Sequence, residues 1–322
     1  MIKKIYKAII RIFIAISVIL FVIWIYIASP ATQRNQKSSL HVDEARLKIH
    51  VETLSSRIFP RNYKEIDNLN KCVDYILKNF SQAGAATELQ EFTVDGKKYF
   101  NVIGRFGKDK TRKVIIGAHY DAVRGTPGAD DNASGVAGLI ELAYLIGKYG
   151  LDIGVELVAY SLEEPPFFGT DEMGSAFHAA SISGMLHIEG VIVLEMIGYY
   201  DDHWGSQSYP VALLKMLYPN RGNFIALVGR LNQREFTKKI KAGMNGATDL
   251  PVYSINAPEF IPGVDFSDHR NYWTYGFNAL MITDTAFYRN KEYHMANDTP
   301  DRLDYSRMAK VVVGVFEAIR KL

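Results

Sequence analysis

"RKVIIGAHYDAVRGTPGADDNASGVAGLIELAYLIGKYGLDIGVELVAYSLEE", Arg112 to Glu164, opens on a β-branched apolar run, crosses an acidic loop, continues through a longer apolar segment and returns to a second apolar run. The two outer runs have strand length. The middle segment, 134–150, is long enough for a helix and closes on a glycine. Strand, helix and strand in that order, with few polar residues in either strand, describe parallel strands covered on both faces.

The pattern continues in both directions. "YFNVIGRFG" reads as a strand next to "RKVIIGAHYD"; "EGVIVLEMIG", "NFIALVGR" and "NALMITDT" read as further strands. Between and beyond them, "GSAFHAASIS", "NQREFTKKIKAG" and "SRMAKVVVGVFEAIRKL" have helical spacing, as do "HVDEARLKIHVETLSS" and "NLNKCVDYILKNFSQAG" upstream. The expected fold class is α/β, a single three-layer domain with a mostly parallel, twisted mixed sheet and helices on both faces. No internal repeat or low-complexity block interrupts it.

Composition agrees with one folded domain. The chain has 322 residues, 48% hydrophobic and 22% charged, with a net charge of +2. No Lys/Arg stripe runs through its body, so nucleic acid is not an expected partner. Cys72 is the only cysteine, which rules out an intramolecular disulfide and a cysteine-ligated metal. It reads as a small buried hydrophobe on a helix.

The first residues have another character. After Lys3, Lys4, Lys7 and Arg11 comes "IFIAISVILFVIWIYIA", Ile12 to Ala28, uncharged and long enough with its flanks to cross a bilayer. A cleaved leader usually has a shorter apolar core and a small-x-small site, which "IASPAT" does not offer. The expected organisation is a basic cytoplasmic stub (1–11), a transmembrane signal anchor (12–31), a linker (32–44) and a domain (45–322). The basic cluster before the span predicts a cytoplasmic N-terminus and an extracytoplasmic domain.

In such a sheet, sites form beyond the carboxyl ends of the strands. His119 and Asp121 end one predicted strand, Glu163 and Glu164 the next, and Glu195 a third; His294 lies in the segment following a fourth. At i,i+2 spacing Asp121 can face the same side as His119, and a carboxylate there fixes the tautomer of a ligating histidine. Asp130 and Asp131 precede a helix start, where one carboxylate could bridge two metals while its neighbour or Asn132 caps the helix. Of Glu163 and Glu164, one could bind metal and the other act as general base. Glu195 is a lone acid among apolar residues, costly unless bound or paired. Asp268 and His269, in "SDHRNYW", either line the site or cap a helix, while His178, His187 and His203 read as bystanders. Histidines and carboxylates without cysteine suit two zinc ions, or another borderline divalent metal, and amide hydrolysis.

Taken together, "HYD", "PGADDNASG", "EEPPFFGT", "LEMIGYY", "SDH" and "HMANDT" resemble the co-catalytic di-zinc aminopeptidases of metallopeptidase family twenty-eight, a family with glutamate carboxypeptidase-like and glutaminyl cyclase-like branches. The resemblance spans about residues 45–322 and implies a zinc-exopeptidase, phosphorylase/hydrolase-like fold. It further implies His119 and Glu195 on one metal, Glu164 and His294 on the other, Asp131 as the bridge, Glu163 as general base and Asp121 as the residue orienting His119. The implied activity is removal of N-terminal residues from a peptide substrate. Glutamate at 195 and the form "EEPPFFGTDEMGS" depart from the best-known aminopeptidases, which leaves specificity open. Two alternatives stand beside this reading: a mono-zinc glutaminyl cyclase and a receptor-like ectodomain without activity. The sequence is silent on oligomeric state.

Overall fold

The computed structural model of the chain describes residues 2–30 and 32–322. Its first element is the apolar helix α1 (Ile2–Ala28), of which Ile5–Ala28 has a mean hydropathy of 2.8 and is long and apolar enough to cross a membrane. Residues 32–43 form neither helix nor strand. The domain then opens with helices α2 (Glu44–Glu52) and α3 (Ile66–Gln82), followed by strands β1 (Ala86–Val94), β2 (Lys97–Phe106) and β3 (Lys113–His119). Helix α4 (Gly135–Tyr149) leads to β4 (Gly154–Tyr160), and α5 (Gly174–Ser181) to β5 (Ile188–Leu194). The remainder is α6 (Leu214–Leu217), β6 (Ile225–Gly229), α7 (Arg234–Met244), β7 (Val252–Asn256), α8 (His269–Thr274), β8 (Ala279–Thr283) and α9 (Tyr305–Ile319).

The strands form one eight-stranded sheet in the order β1-β2-β4-β3-β5-β8-β6-β7. Its centre, β4-β3-β5-β8, is parallel and almost wholly buried, which explains the unbroken apolar runs. On one flank β2 and β1 run antiparallel. On the other, β6 lies antiparallel to β8 and β7 parallel to β6, so the last two strands point against the central four. Helices α2, α3, α4, α7 and α9 cover one face with Ile116, Leu227 and Ile282 in their core, and α5 and α8 cover the other with Ile115, Val158 and Met281.

Two expectations need correction. β2 and β3 are not neighbours, because the crossover through α4 places β4 between them. β1 and β7 went unrecognised: β1 is a half-exposed edge with interleaved polar residues, and β7, the opposite edge, interleaves Ser254 and Asn256 with its apolar residues.

Candidate metal centre

The centre is assembled where the four parallel strands end. His119 is the last residue of β3, Glu163 and Glu164 follow β4, and Glu195 follows β5; His294 and Asp298 come from the loop after β8. Asp131 lies in the turn before α4. Its carboxylate is shared between two sides: Oδ1 is 3.3 Å from His119 Nε2 and Oδ2 is 3.1 Å from His294 Nε2. Glu195 Oε2 stands 3.4 Å from His119 Nε2, and Glu164 Oε2 stands 3.2 Å from His294 Nε2. Two donor groups share Asp131, His119-Asp131-Glu195 and Asp131-Glu164-His294, and a third, His119-Glu163-Glu164, does not; in each the donor atoms lie within 4.8 Å of one another. Glu163 Oε2 sits 3.9 Å from His119 Nε2 and lines the adjoining cavity.

Local folding accounts for each position. The Asp121 carboxylate accepts from the backbone N–H of Glu163 at 3.2 Å and of Glu164 at 3.1 Å, tying the end of β3 to the loop after β4. It also stands 3.5 Å from His119 Nδ1, whose nearer acceptor is the Asp121 carbonyl at 3.2 Å. That side of the ring engaged, Nε2 is free to face the acids. Asn132 accepts from the Gly135 and Met196 N–H groups, so it ties the start of α4 to the Glu195 strand end.

Several members gave no signal in the sequence. Asp298 accepts from the N–H groups of Asp130 and Asp131 at 3.0–3.2 Å and fixes the shared carboxylate from behind. Ser267 Oγ donates to Glu195 Oε2 at 2.7 Å. Buried Arg61 donates to the carbonyls of Tyr120 (2.9 Å), Pro127 and Gly128 (2.5 Å), clamping the acidic loop. Asp130 is no helix cap: it is buried and accepts from Gly198 N–H and Asn290 Nδ2. His269 turns away from the centre, Nε2 donating to the Val264 carbonyl and its ring edge-on to Trp273, with burial lowering its pKa to about 4. Asp268 starts α8 without capping it through its side chain; buried near His119 and Glu195, its carboxyl is pushed up to about 7.

Charge completes the description. Burial raises Glu163 well above the usual carboxylate range, and with Asp131 nearby it takes Glu164 to about 8. Burial would lower both imidazoles, but Glu195 and Glu163 hold His119 well above its ordinary value, and Asp131 and Glu164 bring His294 to about 10. Five buried carboxylates against two imidazoles lack positive charge. His119 Nε2 and Glu164 Oε1 are buried without a hydrogen-bond partner. Hard and borderline donors, unsatisfied and crowded with negative charge, are what a divalent cation would complete.

The family model for peptidase family M28 matches residues 101–319. The chain belongs to peptidase family M28. It is therefore a peptide hydrolase by family. In sequence it is 47% identical over 97% of both chains to an uncharacterised protein, YfbL, from Escherichia coli. In structure it is similar to the zinc aminopeptidase BSAP from Bacillus subtilis (TM-score 0.69, 13% identity, 87% of this chain and 95% of that one). It is also similar to a glutaminyl cyclase from Bacteroides thetaiotaomicron (TM-score 0.64, 18% identity, 88% and 99%). At these identities the likeness is one of fold, and two proteins with different chemistry share it.

Proposed function

We propose that this M28 chain is a membrane-anchored, two-zinc aminopeptidase. The observation that carries the reading is the placement of Asp131, which offers one carboxylate oxygen to each of two complete donor groups. His119, Asp131 and Glu195 would hold one ion, and Asp131, Glu164 and His294 the other. Zinc bound there would polarise the scissile carbonyl and make the attacking water more acidic. Glu163 supplies the proton chemistry. Its buried carboxylate, beside but outside both donor groups, takes a proton from the attacking water and returns it to the leaving amine. Asp121 holds Glu163 and Glu164 in place through their backbone N–H groups.

The adjoining cavity supports the choice of exopeptidase. It measures about 300 Å³ and is walled chiefly by apolar and aromatic side chains, Phe224, Val228, Tyr253, Ile255, Met281 and Phe287 among them. Among the described residues, no lysine or arginine lines it. A carboxypeptidase directed at glutamate needs a cation for the substrate carboxylates, and none is supplied. An N-terminal ammonium finds acidic groups at the cavity's inner end, and a bulky apolar first side chain finds the cavity itself. Residues 12–31 are the proposed anchor, 32–44 the connection and 45–322 the peptidase domain. Helix α1 supports an anchored reading, with the domain extracytoplasmic by the charge preceding the span.

The test is a panel of aminoacyl and carboxy-terminal chromogenic substrates, run on purified full-length chain with and without chelator and with Glu163→Gln. Hydrolysis of leucyl and phenylalanyl substrates, abolished by chelator and reduced about 10²–10⁴-fold in kcat by the substitution, supports the reading. A cyclase would instead carry one zinc per chain and convert N-terminal glutamine. Full activity in Glu163→Gln would overturn the mechanism.

A further inference from the structure

The connection between α1 and the domain is pinned. Lys241 of α7, largely buried and with burial lowering its pKa to about 8, donates to the carbonyls of Ala28 and Ser29 at 3.0 Å each. Those carbonyls are the free acceptors at the end of a helix, where a cation is favoured. Ser254 Oγ adds a bond to Ala28 O (2.8 Å), Asn256 Nδ2 one to Ile27 O (3.1 Å), and Arg234 Nε one to Tyr26 O (2.8 Å). The chain beyond is fastened too. Asn35 N–H reaches the Asn245 carbonyl, Asn35 Nδ2 the Gly243 carbonyl and Ser38 N–H the Ala247 carbonyl, while Ser38 Oγ donates to Glu317.

These bonds also give a direction. From Ala28 back to Tyr26, the partners move from Ser254 in the middle of β7 to Asn256 at its end, then to Arg234 at the start of α7. α1 therefore leaves past the carboxyl ends of β6 and β7. Those strands run against the central four, whose carboxyl ends carry the metal centre. The helix departs from the opposite end of the sheet, and its span Ile5–Tyr26 extends about 33 Å from there at 1.5 Å per residue.

We infer that the last turn of α1 and residues 29–30 and 32–38 form a fixed joint that holds the cavity mouth away from the bilayer, so that the enzyme works on peptides arriving from the aqueous phase. The inference rests on the anchor reading above. A freely tethered domain would tumble and could face lipid-bound substrates; a pinned one cannot.

The experiment uses full-length chain in phosphatidylcholine/phosphatidylglycerol nanodiscs. Cys72 is buried, so cysteines introduced at exposed Leu186, just before β5, or Met216, on α6 above the cavity, take the dye. Energy transfer to a headgroup acceptor should place position 186 nearer the bilayer than 216 by about 20 Å, the length of a seven-residue strand. Equal distances, or 216 the nearer, overturn the orientation. Independently, trypsin should cut at exposed Arg34 and Lys37 about tenfold faster in Lys241→Ala, from loss of two charge-assisted hydrogen bonds, with kcat unchanged. Equal cleavage rates overturn the joint. Should the anchor reading fail, intact mass would reveal a chain lacking its first thirty or so residues, distinct from an intact chain with unequal distances lost.

Discussion

His119, Asp131, Glu164 and Glu195 are each held by a neighbour outside the two groups that share Asp131. Leu162, Met196 and His294 have positive φ values of 61°, 49° and 60°, each on or next to a metal-facing acid or histidine. L-residues rarely adopt that conformation without compensation, and strain of this kind gathers where side-chain aim matters more than backbone comfort. Asp298 is the clearest support. Replacing it with alanine leaves the N–H groups of Asp130 and Asp131 without their acceptor, and zinc affinity should fall about 10–100-fold, as measured by competition with a chelating indicator. Asp298→Asn, which retains one acceptor oxygen, should fall between. An affinity unchanged in both variants would mean that Asp131 is held by the fold alone. That these carboxylates and histidines converge was legible in sequence from the places of several at the ends of apolar strands, together with the family resemblance. Asp298, Ser267 and Arg61 were not legible. Their partners are backbone groups or acids 72–168 residues away in sequence or, for Arg61, carbonyls across a loop, and nothing local marks them.

Between elements, one polar link through the α5/α8 face is pH-dependent. Glu156 on β4 is bonded by His178 Nε2 of α5 at 3.0 Å and by Arg105 of β2 at 2.5 Å. Burial alone would raise its pKa, but His178 and Arg105 bring it down to about 2. A folded-state value below the unfolded one means that the carboxylate stabilises the fold above about pH 4.5, and that this contribution is lost as pH falls towards 2. Denaturant unfolding at pH 6 and pH 3 should therefore differ more in the wild type than in Glu156→Gln, by up to about 2 kcal/mol. Identical pH dependence in both would assign the acid sensitivity elsewhere. His178, which sequence reasoning set aside as a bystander, does stand outside the metal centre, bonded also to Tyr272 OH at 2.6 Å. The longer helices and the central strands were readable from apolar spacing. The reversed direction of β6 and β7 was not, since a short buried strand carries no mark of its polarity.

Across the domain, the acidic centre works against folding until its charge is balanced. Ions bound to the native state alone add about 4 kcal/mol when free zinc is a thousandfold above Kd, which corresponds to a Tm increase on the order of 10 °C for a chain of this size. Calorimetry of chelated and zinc-loaded protein checks this. Tm values that coincide would argue that the acids are protonated and stable on their own. The overall α/β layering was evident from alternating segments, but the attachment of residues 29–30 and 32–38 was not. A polar stretch without periodicity looks like a tether whether or not its backbone finds partners in the domain.

The reversed pair β6 and β7 has an evolutionary consequence. Donors come from the parallel strands and the loops at their ends, whereas much of the cavity wall, Ala226, Val228, Tyr253 and Ile255, comes from strands that contribute no donor. Mutations in that wall can alter which peptides are accepted while the hydrolytic machinery stays intact.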